Sequence, residues 1–262
     1  MKKLKSVFWS MIIIACLGAV LYSSFTLYSI YNDYKIAEDE YDRLKEIAQT
    51  NEDMPDDADT KELISPSDED SDFSDYQSPI NFDQLMTINP DIIGWIVIED
   101  TDIDYPILQA EDNSFYLKTT VEGVASSSGA IFMDYRNSSD FSDNNSIIYG
   151  HKMRNGTMFQ DLSEYKSQNF FNEHPYYTIY TPECEYRCEV FAAYVTSSVS
   201  EAYVLDFSSA DNFVQYLNTA ISKSLIKTGT ILYGTDRIVT LSTCDYTYNN
   251  ARMVVHARIT LI

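Results

Sequence analysis

Cys244 closes an apolar run, Ile238-Val239-Thr240-Leu241-Ser242-Thr243, and Arg252 opens a second one with Met253-Val254-Val255; the polar turn Tyr246-Thr247-Tyr248-Asn249-Asn250 lies between them. Two strands joined by a short connection are predicted there, which sets Cys244 and Arg252 side by side. A thiol beside a permanent cation suits acyl transfer, because thiolate attack on a carbonyl creates an oxyanion that needs donors. That chemistry also needs a proton carrier, and the chain has three histidines. His174 precedes Pro175 after a helical pattern and reads as a capping or loop residue, and His256 sits inside the closing strand and reads as structural. His151 follows Ser146-Ile147-Ile148-Tyr149-Gly150, a short β-type run ending in glycine, which puts its imidazole on a loop at a strand end. It is the candidate acid/base partner.

The other cysteines have no such setting. Cys16 lies in an apolar segment, and Cys184 and Cys188 flank Glu185-Tyr186-Arg187. They could face one another only if that tripeptide turns; in an extended strand they are roughly 13 Å apart and cannot bridge, and they read as ordinary thiols. Without a second cysteine pair or a neighbouring histidine, no zinc site and no cofactor is expected. A lone cysteine in an apolar strand is most often a small core residue, and an arginine opening a strand is usually solvated, so spacing alone leaves that alternative open. The 262 residues carry a formal charge of −22, which argues against nucleic-acid binding, since phosphates are repelled.

The elements that must position these residues follow from the rest of the chain. Lys2, Lys3 and Lys5 precede an uncharged run from Ser6 to Asn32. Its core, Val7 to Ile30, spans roughly 36 Å as a helix, long enough to cross a bilayer and longer than the apolar core of a cleaved signal peptide. Residues 1–32 are therefore expected to be a basic cytoplasmic tip and a single-pass anchor, with everything after them outside the cell. In residues 33–48, Tyr34, Ala37, Tyr41, Leu44 and Ala48 recur at spacings of three and four, an amphipathic helix that either continues the anchor or packs on the later domain. Between Glu38 and Asp75 sixteen acidic residues face three basic ones, and residues 49–77 lack apolar periodicity; they are expected to form a disordered, self-repelling linker.

Residues 78–262 read as the catalytic domain. Phe82, Leu85, Met86 and Ile88 suggest a short helix closed by Asn89-Pro90. Short β-type runs follow over 92–98, 104–108, 130–132, 146–149, 176–180, 186–195, 230–232, 237–243 and 253–261, the mark of a barrel or sandwich. Helical insertions interrupt them at 115–117, within 158–171, and at 210–226, where a helix would wall the site.

Taken in order, Ile147-Ile148-Tyr149-Gly150-His151, Thr240-Leu241-Ser242-Thr243-Cys244 and Arg252 resemble the sortases, membrane-anchored cysteine transpeptidases of Gram-positive bacteria. Asn89-Pro90-Asp91-Ile92-Ile93-Gly94-Trp95-Ile96, Asp104-Tyr105-Pro106-Ile107-Leu108-Gln109, Ile131-Phe132-Met133-Asp134-Tyr135-Arg136-Asn137, Gly150-His151-Lys152-Met153 with Met158-Phe159, and the helix at 210–226 narrow the resemblance to class B. The resemblance runs from about residue 80 to the end and omits the acidic linker. It implies a mainly β fold, an eight-stranded sortase β-barrel with helical insertions, N-terminal helices and a transmembrane anchor. It implies cleavage of a C-terminal sorting signal after Thr and transfer of the acyl group to an amine of a peptidoglycan precursor. Cys244 then becomes the nucleophile, His151 the general acid and base, and Arg252 the oxyanion or carbonyl ligand. Ser242, Leu108, Tyr203 and Val204 fall at substrate-groove positions, and Asp104 stands where relatives often carry Asn.

The implied partners are surface proteins bearing sorting signals, a peptidoglycan precursor amine and the membrane. An L,D-transpeptidase would show a Ser-His-Gly-Cys run and a papain-like peptidase would place cysteine before histidine; neither pattern is present. A pilin-polymerising or pilus-anchoring sortase and a catalytically inert anchored scaffold are the remaining alternatives.

Overall fold

A computed structural model describes residues 2–49 and 76–262; the acidic linker expected over 49–77 lies almost wholly outside the described residues. The first element, α1 (Lys2–Gln49), is one unbroken helix. An 18-residue window of it has mean hydropathy 1.9 and no buried residue, which makes it a candidate membrane span by length and composition. Its last four turns behave differently. Ala37, Tyr41, Leu44 and Ala48 recur at intervals of three and four and are buried against the domain that follows. Glu40 is buried with them: its carboxylate accepts the Glu122 amide at 2.9 Å, and desolvation holds its pKa above the ordinary value. The helix therefore both continues the apolar segment and packs on the later domain.

After α2 (Phe82–Ile88), which Asn81 caps by accepting the Gln84 amide at 3.1 Å, come the strands β1 (Ile92–Val97), β2 (Asp104–Leu108), β3 (Ile131–Met133), β4 (Asn145–Tyr149), β5 (Tyr176–Tyr180), β6 (Glu185–Ser197), β7 (Arg237–Cys244) and β8 (Ala251–Leu261). They close into a barrel in the order β1-β2-β3-β4-β7-β8-β6-β5. The pairs β2/β3 and β4/β7 are parallel and the rest antiparallel. Closure removes every free edge.

Insertions fall between strands. The 158–171 region holds a 3₁₀ segment, Asp161–Lys166, and only the start of α3 (Gln168–Glu173). α4 (Ala210–Lys223) lies between β6 and β7. It is amphipathic and buries Phe213, Tyr216, Leu217 and Ala220 against Phe191, Ile238 and Val254 on the outside of the barrel. The β-type run at 230–232 is not a strand. β8 already has β6 and β7 as its two neighbours, so no ladder position is open to that segment. It is held instead by Thr230 donating to Glu189 at 2.9 Å and Arg258 donating to the Ile231 carbonyl at 3.2 Å.

Because α4 covers the outer face of β7 and β8, polar groups there must satisfy one another. Thr240 gives its one hydroxyl proton to Asn145 Oδ1 at 2.7 Å, so the 2.8 Å contact with His256 is Nδ1–H donating to Thr240. His256 Nε2 then accepts from the Tyr194 hydroxyl at 3.1 Å. The imidazole is neutral and fully buried, and desolvation pushes its pKa down to about 3.

The unfolded chain protonates His256 near its ordinary pKa and the folded chain does not until about pH 3, so stability is complete above that ordinary value and falls as the pH drops. Denaturation of the full chain in detergent at about pH 7.5 and about pH 4.5 is expected to show a loss of roughly 2–3 kcal/mol from this residue. A His256→Asn variant, less stable at neutral pH, is expected to lose much less over the same interval; an equal loss in both would contradict the assignment.

Candidate active site

Strand register assembles the site. β4 and β7 run parallel with Tyr149 opposite Ser242, and Gly150 extends the ladder by donating its amide to the Ser242 carbonyl at 3.1 Å. His151 follows two residues after Tyr149, just beyond the end of β4, as Cys244 follows two residues after Ser242 at the end of β7. On the other flank, β7 and β8 are antiparallel with Cys244 directly opposite Arg252. Side chains two apart on a strand share a face, and neighbouring strands lie about 4.8 Å apart. The thiol thus has the imidazole on one neighbouring strand end and the guanidinium on the other.

The face is the same one that carries Thr240 and Ser242, outside the barrel. α4 covers its lower part. Higher up, the turn Glu201–Tyr203 closes over Ser242, with the Tyr203 hydroxyl 2.8 Å from Ser242 Oγ. Burial raises the Tyr203 pKa, so it stays a neutral phenol. The row holding Cys244 remains open and forms a cleft of about 310 Å³. His151, Cys244, Arg252, Ser242 and Tyr203 all line it.

Each member of the trio is held locally. His151 Nε2 lies 2.6 Å from the Leu117 carbonyl, which can only accept, so Nε2 carries a proton and, in the neutral imidazole, the lone pair is on Nδ1. Arg252 uses one N–H on the Ala251 carbonyl at 2.9 Å and pairs with no carboxylate among the described residues. Its charge is therefore unspent. Beyond Cys244, Asp245 is buried, gives its amide to the Ala251 carbonyl at 3.0 Å and meets Lys166 at 2.5 Å. Although desolvation alone would raise it, hydrogen bonds from Lys166 and Thr247 hold the Asp245 pKa below its ordinary value. That anchors the turn that follows the thiol. Lys152, next to His151, lies 5.6 Å from the ring of Tyr246 and ties the two loops across the cleft.

Two expected groove residues stand elsewhere. Leu108 is fully buried in β2, and its partner on β3, Phe132, lines the cleft instead. Val204 is 38% exposed, outside the cleft lining, with its carbonyl accepting from Asn145 at 2.9 Å. Asp104, where relatives often carry Asn, accepts from the Trp95 indole at 2.6 Å, away from the cleft. Cys188 is buried and Cys184 half-buried, both unbridged on or beside β6.

The cleft also holds Asn113, Arg136 and Tyr149, which sequence reasoning did not single out. Arg136 grips the buried Asp134 through both carboxylate oxygens, at 2.8 and 2.7 Å, and Tyr149 donates to the same carboxylate at 2.9 Å. Burial would raise the Asp134 pKa, but these bonds outweigh it and hold the group ionised. No cluster of His, Cys, Asp and Glu capable of holding a metal occurs among the described residues.

Comparison with known proteins shows the family of the domain. Residues 96–260 match the family described as the sortase domain. Sortase B of Listeria monocytogenes is 39% identical over 177 residues, covering 67% of this chain and 72% of that one. A Staphylococcus aureus sortase B–substrate complex superposes with a TM-score of 0.66 at 36% identity, covering 69% of this chain and 85% of the other. Sortase B of Bacillus anthracis superposes with a TM-score of 0.72 at 35% identity, covering 89% and 100%.

Asp134→Ala leaves the Tyr149 hydroxyl without its acceptor and frees Arg136 at the cleft wall. Because Arg136 is half exposed, the expected loss of stability is moderate, about 2 kcal/mol. Urea denaturation of the full chain in detergent measures it, and an unchanged midpoint would show that the triad does not brace the wall.

Proposed function

The chain belongs to the sortase family as a sortase B-type cysteine transpeptidase, and from that premise we propose that Cys244, His151 and Arg252 cleave a C-terminal sorting signal after Thr and transfer the acyl group to an amine of a peptidoglycan precursor. The observation that carries this reading is that one cleft is lined by all three residues, with Cys244 opposite Arg252 in the β7/β8 register and His151 just beyond the end of β4.

A free cysteine is only a few per cent thiolate at neutral pH, so a base must act as the sulfur attacks. His151 Nδ1, with its lone pair, takes the thiol proton while Cys244 Sγ bonds to the Thr carbonyl carbon. The carbonyl oxygen becomes an oxyanion, and the guanidinium of Arg252, which meets no carboxylate among the described residues, supplies donors for it. The imidazolium then protonates the departing amine as the C–N bond breaks, leaving a thioester on Cys244. An incoming amine attacks that thioester, His151 takes its proton, and the thiol is restored. Ser242 and Tyr203 form the wall on the α4 side, where the signal's side chains would rest.

Sortases act at the cell surface, and α1 supplies a candidate membrane span. In the same reading residues 1–32 anchor the chain in the membrane with Lys2, Lys3 and Lys5 inside, residues 33–48 join the anchor to the barrel, residues 49–77 are a linker, and residues 78–262 work outside the cell on surface proteins that bear the signal.

Incubating the full chain in detergent with a fluorescence-quenched sorting-signal peptide, with and without an amine acceptor, tests the reading. Cys244→Ala is expected to abolish cleavage, and His151→Ala and Arg252→Ala each to cost about 10²–10⁴-fold. Arg252→Lys is expected to restore little, because a compact ammonium does not reproduce the planar fork. Unchanged cleavage by Cys244→Ala would end the proposal.

A further inference from the structure

The acceptor that fixes His151 is a backbone carbonyl, so something must hold that carbonyl still. Leu117 ends a short 3₁₀ turn, Phe115–Leu117. On one side the turn is tied down by Tyr116, whose hydroxyl donates to Asp91 at 2.7 Å and accepts from Asn89 at 2.9 Å. On the other side it rests against Gly129. Gly129 has φ +56, and a Cβ there would lie 2.9 Å from the Leu117 carbonyl carbon and oxygen and closer still to the Tyr116 oxygen. Gly129 is thus the backstop of the peptide that holds the imidazole.

The backstop is itself held from outside the barrel. The carbonyl of Gly129 accepts the hydroxyl of Tyr41 at 2.7 Å. Tyr41 belongs to α1; it is buried, with its ring edge-on to Tyr105 at 5.1 Å. Resting on the reading of His151 as the acid and base, we propose that Tyr41 is a positioning residue for His151, acting through Gly129 and Leu117, so that the helix leading from the membrane-span candidate is part of the catalytic apparatus. Two hydrogen bonds and one close approach connect them: Tyr41 to the Gly129 carbonyl, Gly129 lying so near the Tyr116 and Leu117 backbone that no Cβ fits between, and the Leu117 carbonyl to the imidazole.

Tyr41→Phe in the full chain, in detergent, removes one hydroxyl and keeps the ring. Displacement of a catalytic group by a fraction of an ångström lowers turnover without weakening ground-state binding, so kcat for sorting-signal cleavage is expected to fall about tenfold with KM within about twofold. Gly129→Ala, whose Cβ would meet the Tyr116 and Leu117 backbone at a left-handed φ, is expected to lower kcat at least as much. The discriminating measurement is the double variant Tyr41→Phe/His151→Ala, assayed for residual cleavage over long incubation. If Tyr41 acts through His151, the double variant cleaves at the rate of His151→Ala alone. Wild-type kinetics for Tyr41→Phe, or the same fold loss in both backgrounds, would overturn the proposal. Undiminished cleavage by His151→Ala would instead overturn the role of His151, and this proposal with it.

Discussion

The site depends on one constraint, the register in which β7 is paired on both sides. With Tyr149 opposite Ser242 on one flank and Cys244 opposite Arg252 on the other, the last residue of β7 is bracketed by the chain that continues β4 and by the start of β8. A slip of one residue on either side would turn a partner to the barrel interior. The register is fixed by burial: Val239 and Leu241 fill the barrel core while Ile238 and Thr240 pack under α4, so neither face can be exchanged with the other without burying polar groups in the core.

The outer face of β7 is graded from covered to open. At Thr240 the covering is complete, and the hydrogen bonds among Asn145, Thr240, His256 and Tyr194 replace solvent. At Ser242 the Tyr203 hydroxyl closes over the strand, and Cys244 beyond it is only partly covered. The same Asn145 that anchors the network also holds the carbonyls of Ala202 and Val204, at 3.3 and 2.9 Å, and so sets the turn that presents Tyr203. Packing under α4 and the shape of the cleft are thereby one structure.

Much of this was legible in the chain itself. Cys244 and Arg252 stand beside each other because a short polar turn joins two apolar runs, a local feature. His151 could be chosen because the two other histidines had structural settings, and His256 does prove to be a buried core residue. The β4/β7 parallel pairing is a contact between segments some ninety residues apart, and no local pattern announces it. The same blindness explains Leu108. In a strand buried on both faces, periodicity cannot tell which residue reaches the cleft, and the one that does is Phe132 on the neighbouring strand. Arg136 and Tyr149 were visible only as members of longer runs, since their meeting on Asp134 is a product of the fold. Residues 230–232 have strand-like composition without a vacant partner, which only the closed order of the barrel reveals.

In the proposed reaction, register makes one thiol of four reactive toward a sorting signal. Intact-protein mass spectrometry of the full chain, quenched in acid during turnover of a sorting-signal peptide and followed by peptide mapping, measures this directly. The account predicts a single acyl adduct, equal in mass to the peptide up to its Thr, confined to the fragment containing Cys244 and discharged when an amine is added. An adduct on Cys16, Cys184 or Cys188, or cleavage with no adduct on any cysteine under conditions that slow its discharge, would contradict it.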